Sequence, residues 1–262
     1  DADIVLKVRG PDAPETALLK PGAVLAALLA PHTDKDTPAA LASRGVTAFA
    51  MELLPRISRA QSMDVLSSQA NLAGYKAVID AAATYGRAMP MMMTAAGTIA
   101  PARVLVMGVG VAGLQAIATA KRLGAIVSAT DVRPATKEQV ESLGGTFVAV
   151  MDEEFKHAQT SGGYAKEMSA EYQAKQAALT ADTIKKQDII ITTALIPGRK
   201  APILVTEEMI KTMKPGSVIV GLAAGAGGNT PLSKPDEVVE VHGVTIMGHT
   251  NLAGRLAVDA SS

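Results

Sequence analysis

Gly108, Gly110 and Gly113 stand in G-x-G-x-x-G spacing, between an apolar run from Val104 to Met107 and a helical pattern carried by Val111, Leu114, Ile117 and Ala118. Lys121 and Arg122 close that helix, where cations favour the negative end of its dipole, and Gly124 is placed to cap it. A second apolar strand, Ile126 to Thr130, ends on Asp131, eighteen residues past Gly113. Strand, glycine turn, helix, strand and acid make up a whole dinucleotide-binding unit, a far more specific signal than the glycines alone. Gly108 allows the tight turn, Gly110 lets a pyrophosphate approach the backbone, and Gly113 lets the helix pack close to the strand. The helix N-terminus, from Val111, offers free N–H groups and partial positive charge to phosphates. A carboxylate at Asp131 can hold a ribose diol and would repel a 2′-phosphate, so NAD is expected over NADP. Arg133 tempers that expectation, because an arginine can serve a 2′-phosphate.

Other chemistries are poorly supplied. There is no cysteine, which excludes disulfides, thiolate metal sites and cysteine nucleophiles. The histidines, at 32, 157, 242 and 249, have no metal-ligand spacing, so no metal is expected. His249 sits on a loop that could meet nucleotide, and equally reads as a structural histidine. Lys plus Arg equals Asp plus Glu at 25 each, so no charge excess points to nucleic acid or an anionic membrane. Aromatics make up only 3% and tryptophan is missing, which argues against base-stacking platforms. The longer apolar stretches, such as Gly22 to Ala30 and Val218 to Ala226, are about half the length of a membrane span.

These residues have to be held by alternating strands and helices, the pattern of a parallel α/β protein. We expect an α/β fold of two Rossmann-like lobes with parallel sheets, the second a complete NAD-binding domain and the first incomplete. Residues 1–63 form the partial first lobe, with strands at Ile4 to Val8, Ala23 to Leu29 and Val46 to Ala50, then an irregular polar stretch after Pro55. Residues 64–89 form a connecting helix, with Leu66, Ala70, Ala73, Ala77 and Ala81 on one stripe. Residues 90–250 form the nucleotide-binding domain, with further strands at Thr146 to Val150, Asp188 to Thr193, Ser217 to Val220 and Val244 to Met247. The charged segment 152–187 is expected to be helical from about 165, with a mobile piece around Gly162. Loops leaving the strand ends, including Ala194 to Pro202 and Gly248 to Asn251, should line the ligand crevice. Residues 251–262 begin a helix returning to the first lobe. Both ends of the sequence are expected to be cut short.

Several segments carry a resemblance: PRISRAQSMDVLSSQANLAGY (55–75), MMMTAAGT (91–98), SGGYAKEM (161–168), ITTALIPG (191–198), MKPGSVIV (213–220) and GGNTPLS (227–233). With the glycine unit, they closely resemble the NAD(H)-binding domain of proton-translocating nicotinamide nucleotide transhydrogenase, over nearly the whole chain. The resemblance implies hydride transfer directly between NAD(H) here and NADP(H) on a partner domain or subunit, coupled to a proton-translocating membrane domain. It also implies a homodimer, in the cytoplasm or facing the mitochondrial matrix, peripheral to the inner membrane through its partners. Direct transfer between two nicotinamides needs positioning and exclusion of water, with no side-chain acid or base.

By the same resemblance, Arg56, Gln61 and Asp64 match the family's invariant loop. Arg56 would fork onto phosphate or carboxamide oxygen, Gln61 would reach the NADP side, and Asp64 would accept from the nicotinamide amide, with Ser67 adding a polar contact. Asp64 reads equally well as the cap of the connecting helix. Gly163 and Tyr164 match the tip of a loop that closes over nucleotide. Val132, Thr193, Ala194, Leu195 and Asn251 complete the expected cofactor contacts. Two departures stand out: Gly221 and Gly225 occupy positions where the family usually carries an aspartate and a glutamate. Alanine dehydrogenase, of the same fold, is the nearest rival. Lys7 resembles its substrate-binding lysine, but its catalytic histidine falls near Ala30 and its catalytic aspartate near Gly225, although His32 lies close by. A nucleotide-binding module acting only in docking or sensing is the other alternative.

Overall fold

The computed structural model describes residues 2–55, 57–156, 168–196 and 198–261. The chain divides into two compact units, Asp1–Gln69 with Pro197–Arg199, and Ala70–Ile196 with Lys200–Ser262.

The smaller unit is a parallel sheet of β1 (Ile4–Arg9), β2 (Val24–Leu28) and β3 (Thr47–Ala50), in that order. Between the strands run α1 (Ala13–Leu18) and α2 (Asp36–Ser43). Asp12 and Glu15 close a reciprocal capping box on α1. Leu25 and Ala27 point to one face and pack with Leu19, Leu29, Leu41 and Val46. Ile4, Leu6, Val8 and Phe49 lie exposed, consistent with the period-two alternation of strands. The stretch expected to be irregular forms two 3-10 turns instead, Met51–Leu53 and Ser58–Met63, before α3 (Val65–Thr84).

The boundary between the units falls within α3. The helix expected to reach Met89 stops at Thr84. Gly86 costs about 1 kcal/mol in a helix interior, and the Arg87 N–H turns back onto the Tyr85 carbonyl. A hairpin follows, β4 (Met92–Thr94) against β5 (Gly97–Ile99), where sequence reading expected only a small apolar stretch.

The larger unit is built on a seven-stranded sheet. Its elements run β6 (Arg103–Met107), α4 (Val111–Arg122), β7 (Ile126–Thr130), α5 (Thr136–Ser142), β8 (Thr146–Phe147), α6 (Glu153–Lys156), α7 (Ala170–Ile184), β9 (Ile189–Thr192), α8 (Glu207–Lys211), β10 (Val218–Gly221), β11 (Val238–Val241), β12 (Val244–Met247) and α9 (Ala257–Ala260). Across the sheet the order is β11-β12-β10-β9-β6-β7-β8. Chain order therefore reverses between β6 and β9, the switch point at which doubly wound sheets bind ligands. Alternate residues of the central strands serve two cores: Val104, Val106, Ile189 and Ile191 one face, Leu105, Met107 and Ile190 the other.

Three expectations are corrected here. The sheet is not wholly parallel, because β11 pairs antiparallel with β12 at the edge. The two strands are joined by His242 and Gly243 at φ 55° and 75°, the left-handed pair of a tight hairpin turn. The strand expected to extend to Val150 is only Thr146–Phe147, since the Val150 N–H donates instead to the Gln176 side chain at 2.9 Å. The helix expected from Asn251 to Ala260 is split into a 3-10 turn, Ala253–Arg255, and α9. Arg255 donates to Asp80 on α3 at 3.0 Å, which holds that turn to the body of the unit.

Candidate functional site

Gly108 has φ 101°, a conformation that favours glycine, and a Cβ there would lie 2.5 Å from Thr193 Oγ1. A Cβ on Gly113 would come within 1.9 Å of the Gly108 carbonyl oxygen, so only glycine lets α4 sit this close to the end of β6. A Cβ on Gly110 would meet nothing within 4 Å. The turn is therefore open on the side from which a ligand would approach. No side chain caps α4, so its first N–H groups remain available to an anion. At its other end Gly124, at φ 84°, donates to the Lys121 carbonyl and closes the helix. Thr193 Oγ1 donates to the Gly108 carbonyl at 2.9 Å and ties the loop after β9 to the turn.

At the tip of β7, Asp131 Oδ2 accepts from the Val109 N–H at 2.7 Å, and Oδ1 accepts from the Arg133 N–H at 2.9 Å. The Arg133 guanidinium adds Nε–H to Oδ1 at 2.9 Å and Nη2–H to Oδ2 at 3.0 Å. Burial by itself raises the Asp131 pKa; the Arg133 guanidinium and the two N–H donors outweigh it and hold the carboxyl below its ordinary value. Asp131 is thus ionised at neutral pH.

Gly108, Asp131, Val132 and Ala194 line a single cavity of about 450 Å³ at the C-terminal ends of β6, β7 and β9. Its far wall contains residues that sequence reading missed: Met168, Tyr172 and Gln176 along α7, and Leu204 and Thr206 before α8. The signal was present in the spacing of 168, 172, 176 and 180, one stripe of a helix, beneath a composition that reads as solvated. Gln176 Nε2 reaches Thr130 Oγ1 at 3.4 Å, and Tyr172 stacks on Phe155 with ring centroids 6.1 Å apart. Burial, then Asp152 and Glu154, pushes the Tyr172 phenol up to about 12, so it stays a neutral donor. Asn229, wholly buried, was also missed. Its Nδ2 donates to the carbonyls of Ala194 at 2.8 Å and Pro202 at 2.9 Å, while its main-chain carbonyl accepts from the Leu204 and Val205 N–H groups. It thereby fixes the loop that forms the near wall.

The remaining expected residues are placed as follows. Val111 opens α4; Leu195 is exposed, and its side chain is not part of the cavity lining. Asn251 Oδ1 accepts from the Gly254 N–H at 2.9 Å, inside its own turn. In the smaller unit, Gln61 is exposed on a 3-10 turn, and Asp64 accepts from Ser67 N–H at 3.0 Å and Ser67 Oγ at 2.6 Å. Asp64 therefore caps α3, and Ser67 is its hydrogen-bond partner. Lys7 is ion-paired with Glu15. Arg56, His157, Gly162, Gly163 and Tyr164 lie outside the described residues. At Gly221 and Gly225 an added Cβ would make ordinary contacts, 3.5 Å from Thr192 Oγ1 and 3.7 Å from Thr250, so both positions have room for a side chain. Among the described residues no cluster of His, Asp and Glu could hold a metal ion, and no helix is long and apolar enough to cross a membrane.

Two family models match the sequence: the alanine dehydrogenase/PNT C-terminal domain over residues 77–262, and the N-terminal domain of the same family over residues 1–73. This chain belongs to the alanine dehydrogenase/PNT family. Within the alanine dehydrogenase/PNT family it is 63% identical to a NAD(P) transhydrogenase subunit alpha of Rhodospirillum rubrum, over 99% of this chain and 69% of that protein. A crystal structure of transhydrogenase from Sinorhizobium meliloti superposes with a TM-score of 0.90 at 60% identity, covering 99% of this chain and 70% of that one. The alanine dehydrogenase of Bacillus subtilis is more distant, at 29% identity over 97% of this chain and 63% of its own length.

Proposed function

We propose that the chain is the NAD(H)-binding component of a proton-translocating transhydrogenase. The observation that carries this reading is the glycine turn: open at Gly110, closed to any side chain at Gly108 and Gly113, and joined through Val109 to an ionised Asp131. A nicotinamide dinucleotide fits such a turn, with the pyrophosphate at the N-terminus of α4 and the adenosine ribose at Asp131. The bound cofactor supplies the hydride, and NADP(H) on a partner domain supplies the acceptor. The chain's own residues bind, orient and exclude water. Gly108, Gly110, Val111 and Gly113 hold the pyrophosphate; Asp131, Val132, Arg133 and Ala194 surround the adenosine. Thr193 keeps the turn in shape, with Leu195, Gly163, Tyr164 and Asn251 as further cofactor contacts. Arg56, Gln61, Asp64 and Ser67 position the nicotinamide. The proposed assembly is a homodimer with an NADP-binding domain or subunit and a proton-translocating membrane domain, on the cytoplasmic or matrix face.

An alanine dehydrogenase activity is disfavoured by the side chains present. Amination of a keto acid needs a positioned proton donor, and Ala30 and Gly225 supply none. The test is a fluorescence titration with NADH and NADPH, followed by hydride exchange with an NADP-loaded partner domain. The expected result is binding of NADH over NADPH, and exchange only when the partner is present. NADPH preference, or turnover of alanine without a partner, would refute the proposal.

A further inference from the structure

The Asp131 carboxylate is already full. Such a group offers about four acceptor positions, and N–H donors occupy them: Val109 N and Arg133 Nη2 at Oδ2, Arg133 N and Nε at Oδ1. Two of these donors are main chain and fixed in place. The other two belong to one guanidinium, whose Nη2 also donates to the Val109 carbonyl at 3.2 Å. The Asp131 side chain is 7% exposed and that of Arg133 33%, so the acid is held while the arginine has solvent to swing into. A ribose brings two vicinal hydroxyls, and a carboxylate takes them as the same kind of two-pronged donor. The diol and the guanidinium compete for one place.

We infer that Arg133 is the residue that sets cofactor choice here: its guanidinium occupies the diol position on Asp131 and a ribose displaces it. Freed from that carboxylate, it becomes a ligand for a 2′-phosphate. This rests on the nucleotide reading above and adds to it. In the resting site a 2′-phosphate meets an ionised carboxylate, and the only nearby guanidinium among the described residues at β7 is engaged in neutralising that acid. A 2′-hydroxyl replaces two donors with two donors, so hydrogen bonding at Asp131 is conserved through the exchange, and the released guanidinium gains solvent. Arg133 thus weakens the preferred cofactor while standing where the rejected one would need it.

The test is a titration of NADH and NADPH, by nicotinamide fluorescence, against the wild type, Arg133→Ala, Arg133→Lys, Asp131→Asn and the Asp131→Asn/Arg133→Ala double variant. The amide introduced by Asp131→Asn can still accept from the Val109 N–H, and Arg133→Lys keeps the charge without the fork. At least one variant on each side should therefore retain the fold by circular dichroism. With its competitor gone, Arg133→Ala should bind NADH about tenfold more tightly and still reject NADPH; Arg133→Lys should fall between it and the wild type. Asp131→Asn should gain NADPH binding by about tenfold, and the second substitution should remove that gain. Weaker NADH binding by a folded Arg133→Ala or Arg133→Lys would overturn the inference, as would NADPH binding that the double variant retains. A wild type that binds neither nucleotide would refute the underlying function, an outcome distinct from either of these.

Discussion

In the smaller unit Asp64 takes its hydrogen bonds from Ser67, three residues along; in the larger unit Asp131 takes one from Val109, twenty-two residues back. The first arrangement is a helix cap, and any chain with this local sequence can form it. The second exists only because β6 and β7 lie side by side with Met107 opposite Thr130, bringing the glycine turn to the tip of the next strand. The sheets differ in the same sense. β9 is buried along its whole length, Ile189–Thr192, whereas β1 alternates, with Ile4, Leu6 and Val8 exposed. A strand enclosed on both faces leaves the side chains at its end little freedom to shift. The strand-end acid is therefore the better-positioned ligand, and the helix-capping acid the more readily re-formed.

The strongest way to break the larger unit is at its tightest approach. Gly113→Ala should destabilise it by about 3 kcal/mol, a fall in Tm of about 6–12 °C by calorimetry. Gly110→Ala, with open space around it, should leave Tm within about 1 °C of wild type while weakening NADH binding. Next comes the pair of aspartates. Asp131→Ala leaves the Arg133 guanidinium partly buried without its partner and should cost about 2 kcal/mol. Asp64→Ala removes one cap and should cost about 1 kcal/mol. Equal losses in urea unfolding would erase the distinction drawn between them.

Acid sharpens the comparison. The Asp131 carboxyl is held below its ordinary value, so its folded form prefers the charged state. The resulting stability is fully present above the unfolded-state pKa of about 3.9 and is lost as pH falls through the lower folded value. The Tm difference between wild type and Asp131→Asn should be flat from about pH 5 to pH 8 and shrink below about pH 4. The smallest effect is optical. Tyr172, raised to about 12, contributes stability that is present below the unfolded phenol value of about 10 and lost as pH rises through the folded one. Tyr172→Phe should delete a phenolate absorbance component that appears near pH 12. Loss of a component nearer pH 10 would mean that Tyr172 faces water.

Much of the site was legible because it is contiguous. Residues 103–131 contain strand, turn, helix, strand and acid in one stretch, and each glycine has a local reason to be glycine. The cavity's far wall was not legible. Tyr172 and Gln176 lie in a charged segment that reads as solvated, and their stripe is buried because α7 packs over the ends of β7 and β8. Asn229 is one polar residue among glycines, and nothing local says that its amide bridges Ala194 and Pro202. The β11 hairpin was missed because its turn is His242-Gly243, and histidine is a rare choice at positive φ.

The sequence by itself determined the α/β class, the nucleotide turn, the acid at its strand tip and the family resemblance, all of which rest on periodicity and short-range spacing. Tertiary structure decided which side chains close the cavity, which acid is a cap and which is a strand-tip ligand. It also decided that Arg133 lies on Asp131 rather than beside it. Those outcomes depend on which strands become neighbours, and burial then sets how strongly each charge is held.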